Sequence, residues 1–569
     1  MNSSHSGFEE TQGTRSFPNI DLLYDYGQFL RRATQAIGHL PPAIADKHIG
    51  IVGAGLSGVI AAYELLRAGA TRITLFEASK DHLGGRFLTQ CFDETQPQFI
   101  AEMGAMRFPP SEVGLFHYLD RFGIGTTEAF PDPGVVDTEI HYRGETHHWP
   151  AGENPPPIFN TVHRGWNAFL KEGVRLDDST FLAPPLLLTE LLEKQQYAEV
   201  QPEWQRYLDC FGDHSFYSAM VQIFTSKNPP GGKRWRKPED FHLFGSLGIG
   251  SGGFQSVYRA SFTEILRLVI NAFEVNQRLV PNGISTLWER IADEEFHGIA
   301  LRDRICRTRI ESISKGADGQ ILLQGCNGET YGCDRVITTA TTRALQVNMR
   351  LTQAEQFVNR DVARAINETH MVGSSKLFIL TRDKFWLKHG LAQNIQTDTL
   401  VKGVYCLDYA PQDPDSWGVV LISYTWEDDS HKMVSMTDKV QRCKRLVDEL
   451  AMSSPEFARH LVPLDGDYQR YVLEYDWLTD KQALGAFKLN FPGDDLYSQR
   501  LFYQFKTALD PQQDTGLYLA GCGSSFTGGW AEGAVQTALN SACAVIASLG
   551  GELLEGNPLF DLQSHFRYC

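Results

Sequence analysis

Residues 48–79 read HIGIVGAGLSGVIAAYELLRAGATRITLFEAS, an apolar strand, a glycine turn, a helix and a second strand that ends on Glu77. Gly53, Gly55 and Gly58 form G-x-G-x-x-G directly after Val52, and Glu77 lies nineteen residues beyond the third glycine. A strand, turn and helix in this spacing commit the chain to a βαβ unit that holds a dinucleotide. The first glycine permits the tight turn, the second lets the backbone approach a pyrophosphate, and the third lets the helix pack closely on the strand. Ala54 and Ser57 complete the turn, and the free N–H groups of the helix start face the phosphates. Val59, Ile60, Tyr63 and Leu66 give that helix its apolar face. Glu77 can accept a hydrogen bond from a ribose hydroxyl, and its charge disfavours a 2′-phosphate.

With 569 residues the chain exceeds what one hydrophobic core usually organises, so two domains are expected. No apolar run approaches the ~18 residues of a membrane span, and the first forty residues lack a basic-then-apolar start, so a cytoplasmic protein is expected. A formal charge of −17 argues against nucleic acid or an anionic membrane as partner. Ten scattered cysteines without C-x-x-C fit reduced thiols, and the absence of H-E-x-x-H argues against a metal site. Neither a Walker A loop nor a G-x-S-x-G elbow is present.

Residues 1–44 read as an extension with one helix over 20–37, ended by Pro41 and Pro42. A Pro-rich aromatic stretch from about 130 to 159 is too irregular to continue βαβ alternation, helical patterns dominate from about 160 to 275, and strand periods follow around 300–340. SSKLFIL and WGVVLISYTW read as strands and DKVQRCKRLVDELAM as a helix. Near the end, TGLYLAGCGSSFTGGWAEGAVQTALNSACAVIASL repeats the opening logic of strand, glycine loop and helix, so the nucleotide domain is expected to be discontinuous. The expected division is 45–112, 265–345 and 495–552 for that domain, 113–264 and 346–494 for a substrate domain, and 553–569 for a tail.

Three further segments narrow dinucleotide to flavin: Gly84-Gly85-Arg86, AEMGAMRFPP with Gly104 to Arg107, and GGWAEGA with Glu532 at a helix start. Together with Glu77 they resemble the flavin-containing amine oxidase and L-amino-acid oxidase superfamily. The resemblance implies an α/β plus α+β architecture, a Rossmann-type FAD-binding domain beside a mixed-sheet and helical substrate-binding domain. It implies that Glu77, Ala78, Gly85 and Arg86 hold the ADP part of FAD, and that Gly104, Ala105, Met106 and Arg107 lie along the isoalloxazine. Ile310, Gly521, Glu532, Gly533 and Ala534 complete the implied cofactor set, the last three at the start of a helix aimed at the flavin. One departure is clear: six residues rather than five separate Glu77 from Gly84, and His82 stands where the superfamily often has an arginine.

Segments such as YDYGQFL, FPDPGVVDTEIHYRGE, GSSKLFIL, SYTWEDD, DWLTD and GAFKLNFPGDD resemble the branch that oxidises L-tryptophan with FAD and O2. Its products are indole-3-acetamide, CO2 and water, the first step of one route to the auxin indoleacetic acid. Arg107 is the expected partner of the substrate carboxylate, because its planar fork matches a carboxylate with two parallel N–H groups; a structural ion pair is the competing role for an arginine. By resemblance, Lys376 holds a water beside the flavin and assists the reaction with O2. Trp477, Phe487, Gly529 and Trp530 are expected around the indole, and the loop from Gly250 to Phe254 is expected to help close the pocket. The resemblance implies non-covalent FAD, because the superfamily's covalent members carry a cysteine just before the flavin-facing helix, where this chain has Trp530, Cys522 lying further upstream. A homodimer is a general expectation. The nearest alternative activity is an L-amino-acid oxidase releasing 2-oxo acid, ammonia and peroxide, and a remote one is a non-catalytic escort of prenylated proteins.

Overall fold

The computed structural model describes residues 16–127, 130–247, 253–351 and 354–568. Strand Ile49–Val52, helix Leu56–Arg67 and strand Ile73–Phe76 form the expected βαβ unit. The two strands pair in parallel, with Ile49 opposite Ile73 and Val52 opposite Phe76. Gly53 sits at φ +105, a region that strongly favours glycine. A Cβ on Gly58 would lie 2.0 Å from the Gly53 carbonyl oxygen, so the helix rests on the turn as the third glycine of the motif requires.

These strands lie within a five-stranded parallel sheet in the order 305–306, 73–76, 49–52, 335–338, 517–519. All four residues of Ile49–Val52 are buried, which is why the strand reads as an unbroken apolar run rather than an alternation. Helix Ala531–Ser548 packs against helix Leu56–Arg67 and the last strand, and its alanines at 538, 542 and 544 are fully buried. A smaller sheet of Ile310–Lys315, Ile321–Gly325, Thr330–Cys333 and Arg350–Leu351 lies alongside in sequence.

A seven-stranded mixed sheet forms the second layer system, in the order 472–476, 374–381, 418–426, 403–407, 394–397, 138–142, 145–149. Strands over SSKLFIL and WGVVLISYTW form as expected, and Lys376 faces Tyr424 directly across the pair. The proline-rich stretch is more ordered than its composition suggested, because Thr138–Tyr142 and Glu145–Trp149 make a hairpin. Arg143 and Gly144 both turn at positive φ, the two-residue geometry that suits a twisted hairpin. Helices from Asn160 to Ile270 enclose an aromatic core containing Trp166, Phe216, Phe244 and Phe262.

The helix expected over 20–37 is confined to Tyr26–Arg32. Asp25 caps it by accepting from the Gln28 amide, Leu23 is left-handed at φ +47, and Gly38–His39 leaves to pair with Glu552–Leu553. The residues before the helix are anchored instead by charge. Arg267, fully buried, pairs with Asp21, with Glu264 at 2.8 Å and with Asp495 at 3.3 Å, and the Tyr568 hydroxyl donates to Asp21 at 2.9 Å.

Candidate active site

A cavity of about 280 Å3 is lined by the glycine turn, the Gly84–Arg86 loop, the 103–108 segment, Lys376, Trp477, Phe487 and the 528–534 segment. At the turn, Glu77 does two jobs: one carboxylate oxygen accepts from the Ala54 amide at 2.9 Å and the other from the Ser79 amide at 2.7 Å. Gly55 bridges to Gly84, so the G-G-R loop lies beside the first glycine turn, and Gly84 and Gly85 both have positive φ. Arg86 reaches the Ala486 carbonyl at 2.9 Å. Ser57 Oγ, at the helix start, and His82 Nδ1 are buried and lack a hydrogen-bond partner among the described residues, and both residues line the cavity. Buried polar atoms are rarely left so. Beside free helical N–H groups they fit a diphosphate, and the Glu77 carboxylate retains lone pairs for a ribose hydroxyl.

The 102–108 segment is fixed from both sides. Lys376 Nζ donates to the Glu102 carbonyl at 3.0 Å and the Gly104 carbonyl at 2.6 Å, and the Trp477 indole N–H donates to the Met103 carbonyl at 2.8 Å. The Lys376 ammonium also lies 4.9 Å from the centre of the Tyr424 ring. Burial lowers the pKa of Lys376 to about 7; the Glu102 carboxylate opposes that and Arg107 adds to it. Burial likewise raises Glu102 to about 7, against hydrogen bonds from the Ile284 amide and the Thr89 hydroxyl.

Arg107 lines the cavity and is also ion-paired, the role that competed with carboxylate binding in the sequence. Its Nη1 lies 2.8 Å from one Glu274 oxygen and its Nη2 3.5 Å from the other. The guanidinium lies 5.4 Å from the Trp530 ring centre and 5.7 Å from that of Phe130. Burial works to lower its pKa, but Glu274, Tyr424 and Asp132 prevail and raise it. Trp530 stacks on Phe273 with ring centres 5.0 Å apart. Gly529, at φ +87, lies against the Phe487 ring, and Phe487 meets Trp426 edge-on at 5.2 Å.

Ala78, Ala105, Met106, Ile310, Gly521 and Ala534 also fall on the wall, whereas Ala54, Gly58, Glu532 and Gly533 are not among the lining residues. Glu532, expected in the cofactor set, has its side chain engaged within the protein. Its carboxylate accepts from the Gly114 and Leu115 amides, capping helix Val113–Arg121, while Glu112 at the start of that helix accepts from the Glu532 amide at 2.9 Å. Each helix thus uses a carboxylate from the other to satisfy N–H groups that its own turn leaves open. Of the loop expected to close the pocket, residues 250–252 lie outside the described residues, and Phe254 stacks on Phe244 in the aromatic core. Val257, just beyond, is on the wall instead.

The sequence profile of the family described as flavin containing amine oxidoreductase matches residues 56–546. The chain belongs to that family. Membership implies a flavin cofactor, which the turn, the G-G-R loop and the two unpartnered polar atoms fit. The chain is 58% identical to tryptophan 2-monooxygenase of Pseudomonas savastanoi over 97% of its own length and 99% of that protein's. It is 57% identical to the tryptophan 2-monooxygenase of Pantoea agglomerans pv. gypsophilae, covering 97% and 98%. Cyclohexylamine oxidase from Brevibacterium oxydans shares the fold, with a TM-score of 0.63 at 16% identity, over 88% of this chain and 98% of that one.

Sequence reasoning did not single out Glu274, Tyr424 or Trp426, which also line this cavity. Tyr424 and Trp426 had a signal: they alternate along a strand opposite Lys376, and a strand places alternate side chains on one face. Glu274 had none, because its position depends on a turn whose geometry no local pattern announces. Among the described residues no helix is long and apolar enough to cross a membrane, and no cluster of metal-ligating side chains occurs.

Proposed function

We propose that the chain catalyses oxidative decarboxylation of L-tryptophan with FAD and O2, giving indole-3-acetamide, CO2 and water. The observation that carries this reading is the match along nearly its whole length to tryptophan 2-monooxygenases, joined to a cavity that brings Arg107, Lys376 and Trp530 together. FAD, when bound, supplies the acceptor for hydride from the substrate Cα and the means of passing those electrons to O2. Arg107 receives the substrate carboxylate, and its place between Trp530 and Phe130 limits how the fork can turn. Trp530, Phe487, Trp477 and Trp426 offer apolar faces to the indole. Retention of the oxidised substrate in a closed, apolar pocket separates amide formation from release of an oxo acid.

The cofactor is held without a covalent bond. The residue before helix Ala531–Ser548 is Trp530, whose indole carries no nucleophile suited to flavin attachment. Acid precipitation therefore leaves flavin in the supernatant, and a yellow pellet contradicts this. The activity is tested by mixing the yellow protein with L-tryptophan in air and quantifying indole-3-acetamide, indole-3-pyruvate and peroxide together. Amide in proportion to O2 consumed supports the proposal, whereas oxo acid with matching peroxide makes the protein an amino-acid oxidase.

A further inference from the structure

The turn after helix Phe262–Ile270 is held in an unfavourable backbone shape. Ala272 and Asn276 have φ of +54 and +52, a left-handed region that non-glycine residues rarely adopt and that is kept only where the surroundings enforce it. Between them, Phe273 backs Trp530 and Glu274 meets Arg107 on the cavity wall. Gln277 secures the turn by donating to the Phe273 carbonyl at 2.8 Å and to Glu274 at 3.4 Å.

The charged and titratable groups facing this carboxylate come from several elements. Arg107 lies on the 102–108 segment, Asp132 on the loop before the hairpin and Tyr424 on strand Gly418–Trp426; Tyr405 lies beside Asp132 and Arg107, and Lys376, on the neighbouring strand, faces Arg107 and Glu102. Asp132 is half-buried, and its Oδ1, itself buried, has no hydrogen-bond partner among the described residues. Burial raises both carboxyls, Asp132 to about 7, and Arg107 opposes this for each. An amino acid adds a further carboxylate to the same guanidinium, while its ammonium must shed a proton before the nitrogen lone pair can support loss of hydride from Cα.

Resting on the reading in which Arg107 receives the substrate carboxylate, we propose that Glu274 keeps that seat in the free enzyme and accepts the ammonium proton when the substrate takes it. In this exchange one N–H bond of the substrate breaks and its electron pair stays on nitrogen. An O–H bond forms on Glu274, so the charge of the complex is unchanged and no outside base is needed. Glu274 becomes the favoured acceptor because the arriving carboxylate removes the counter-charge that kept it ionised.

The test uses the holoenzyme and indole-3-propionate, which carries the indole and carboxylate but no ammonium, with binding followed in the flavin spectrum and protons by an indicator dye in weak buffer near neutral pH. Wild type is expected to take up about one proton per ligand bound, Glu274→Gln to bind without uptake, and Asp132→Asn to retain it. Binding to wild type without uptake overturns the inference, as does uptake that survives Glu274→Gln and disappears in Asp132→Asn. Absence of any binding to wild type instead sinks the underlying reading of Arg107. With tryptophan, Glu274→Gln is expected to lose at least about tenfold in kcat/KM near neutral pH and to regain about tenfold per pH unit as the free amine titrates. A pH profile parallel to wild type would count against the proton transfer.

Discussion

Replacing Arg107 by lysine separates its two partners. An ammonium still balances the buried Glu274 carboxylate, 2.8 Å away in the native protein, but it cannot present two parallel N–H groups to a second carboxylate. Losing one charge-assisted hydrogen bond costs about 1.5–3 kcal/mol, which is roughly a 10- to 150-fold weaker hold on tryptophan. Arg107→Lys is thus expected to raise KM by that factor in an O2-consumption assay, with the flavin spectrum and unfolding temperature little changed. Arg107→Met removes the charge altogether and leaves the Glu274 carboxylate without its guanidinium partner, at about 3–5 kcal/mol. That penalty is relieved by protonation. Glu274 in the variant has a folded pKa above its unfolded value, so the deficit is small below the unfolded value near 4.5 and grows as pH rises toward the folded one. The unfolding midpoint followed from pH 5 to 8 should therefore fall further behind wild type as pH rises. Were Arg107→Lys to keep a native KM while Arg107→Met lost stability, Arg107 would be an ion-pair partner only.

Other substitutions probe other parts of the molecule. Gly58→Ala places a Cβ 2.0 Å from the Gly53 carbonyl and should yield protein that purifies colourless or loses flavin on dilution, measured by the absorbance ratio of flavin to protein. Lys376 titrates near 7 because it is buried, and it is cationic below that value; the rate at which the reduced enzyme consumes O2 should decline as pH rises through about 7, and Lys376→Met should flatten that profile. Arg267→Met strands Asp21, Glu264 and Asp495 in the interior and should destabilise the protein by about 3–5 kcal/mol, read as a lower unfolding midpoint, whereas substitution of the exposed pair Lys194 and Glu190 should leave it unmoved.

The parts of the fold that could be read from the sequence are those specified locally. The opening βαβ unit, the strands around Lys376 and Tyr424 and the helix from Ala531 each carry their own period and turn residues. The amino-terminal helix was overextended because the apolar run before Asp25 packs as a turn, where Leu23 is left-handed and Asp21 serves a charge cluster 246 residues away in sequence. The same limit governs the site. Motifs pointed to Arg107, Lys376 and Trp530, which line one cavity, but not to Glu274, because its pairing spans 167 residues and rests on a strained turn. The Glu532 motif has a related limit: it locates the helix start, not the partner helix whose amides the carboxylate caps.

The order of strands in the parallel sheet has a consequence for biosynthesis. Ile49–Val52 and Ile73–Phe76 can pair early, yet the other neighbour of Ile49–Val52 is Arg335–Thr338, roughly 280 residues further along the chain. At ~5–20 residues per second a ribosome takes about 15–55 s to deliver it, and longer to deliver the outer strand Leu517–Leu519. Throughout that interval the wholly apolar segment Ile49–Val52 presents an unpaired edge, a template to which other nascent chains can add. Translation speed and chaperone supply, more than the strength of the finished sheet, then govern how much yellow protein a cell recovers.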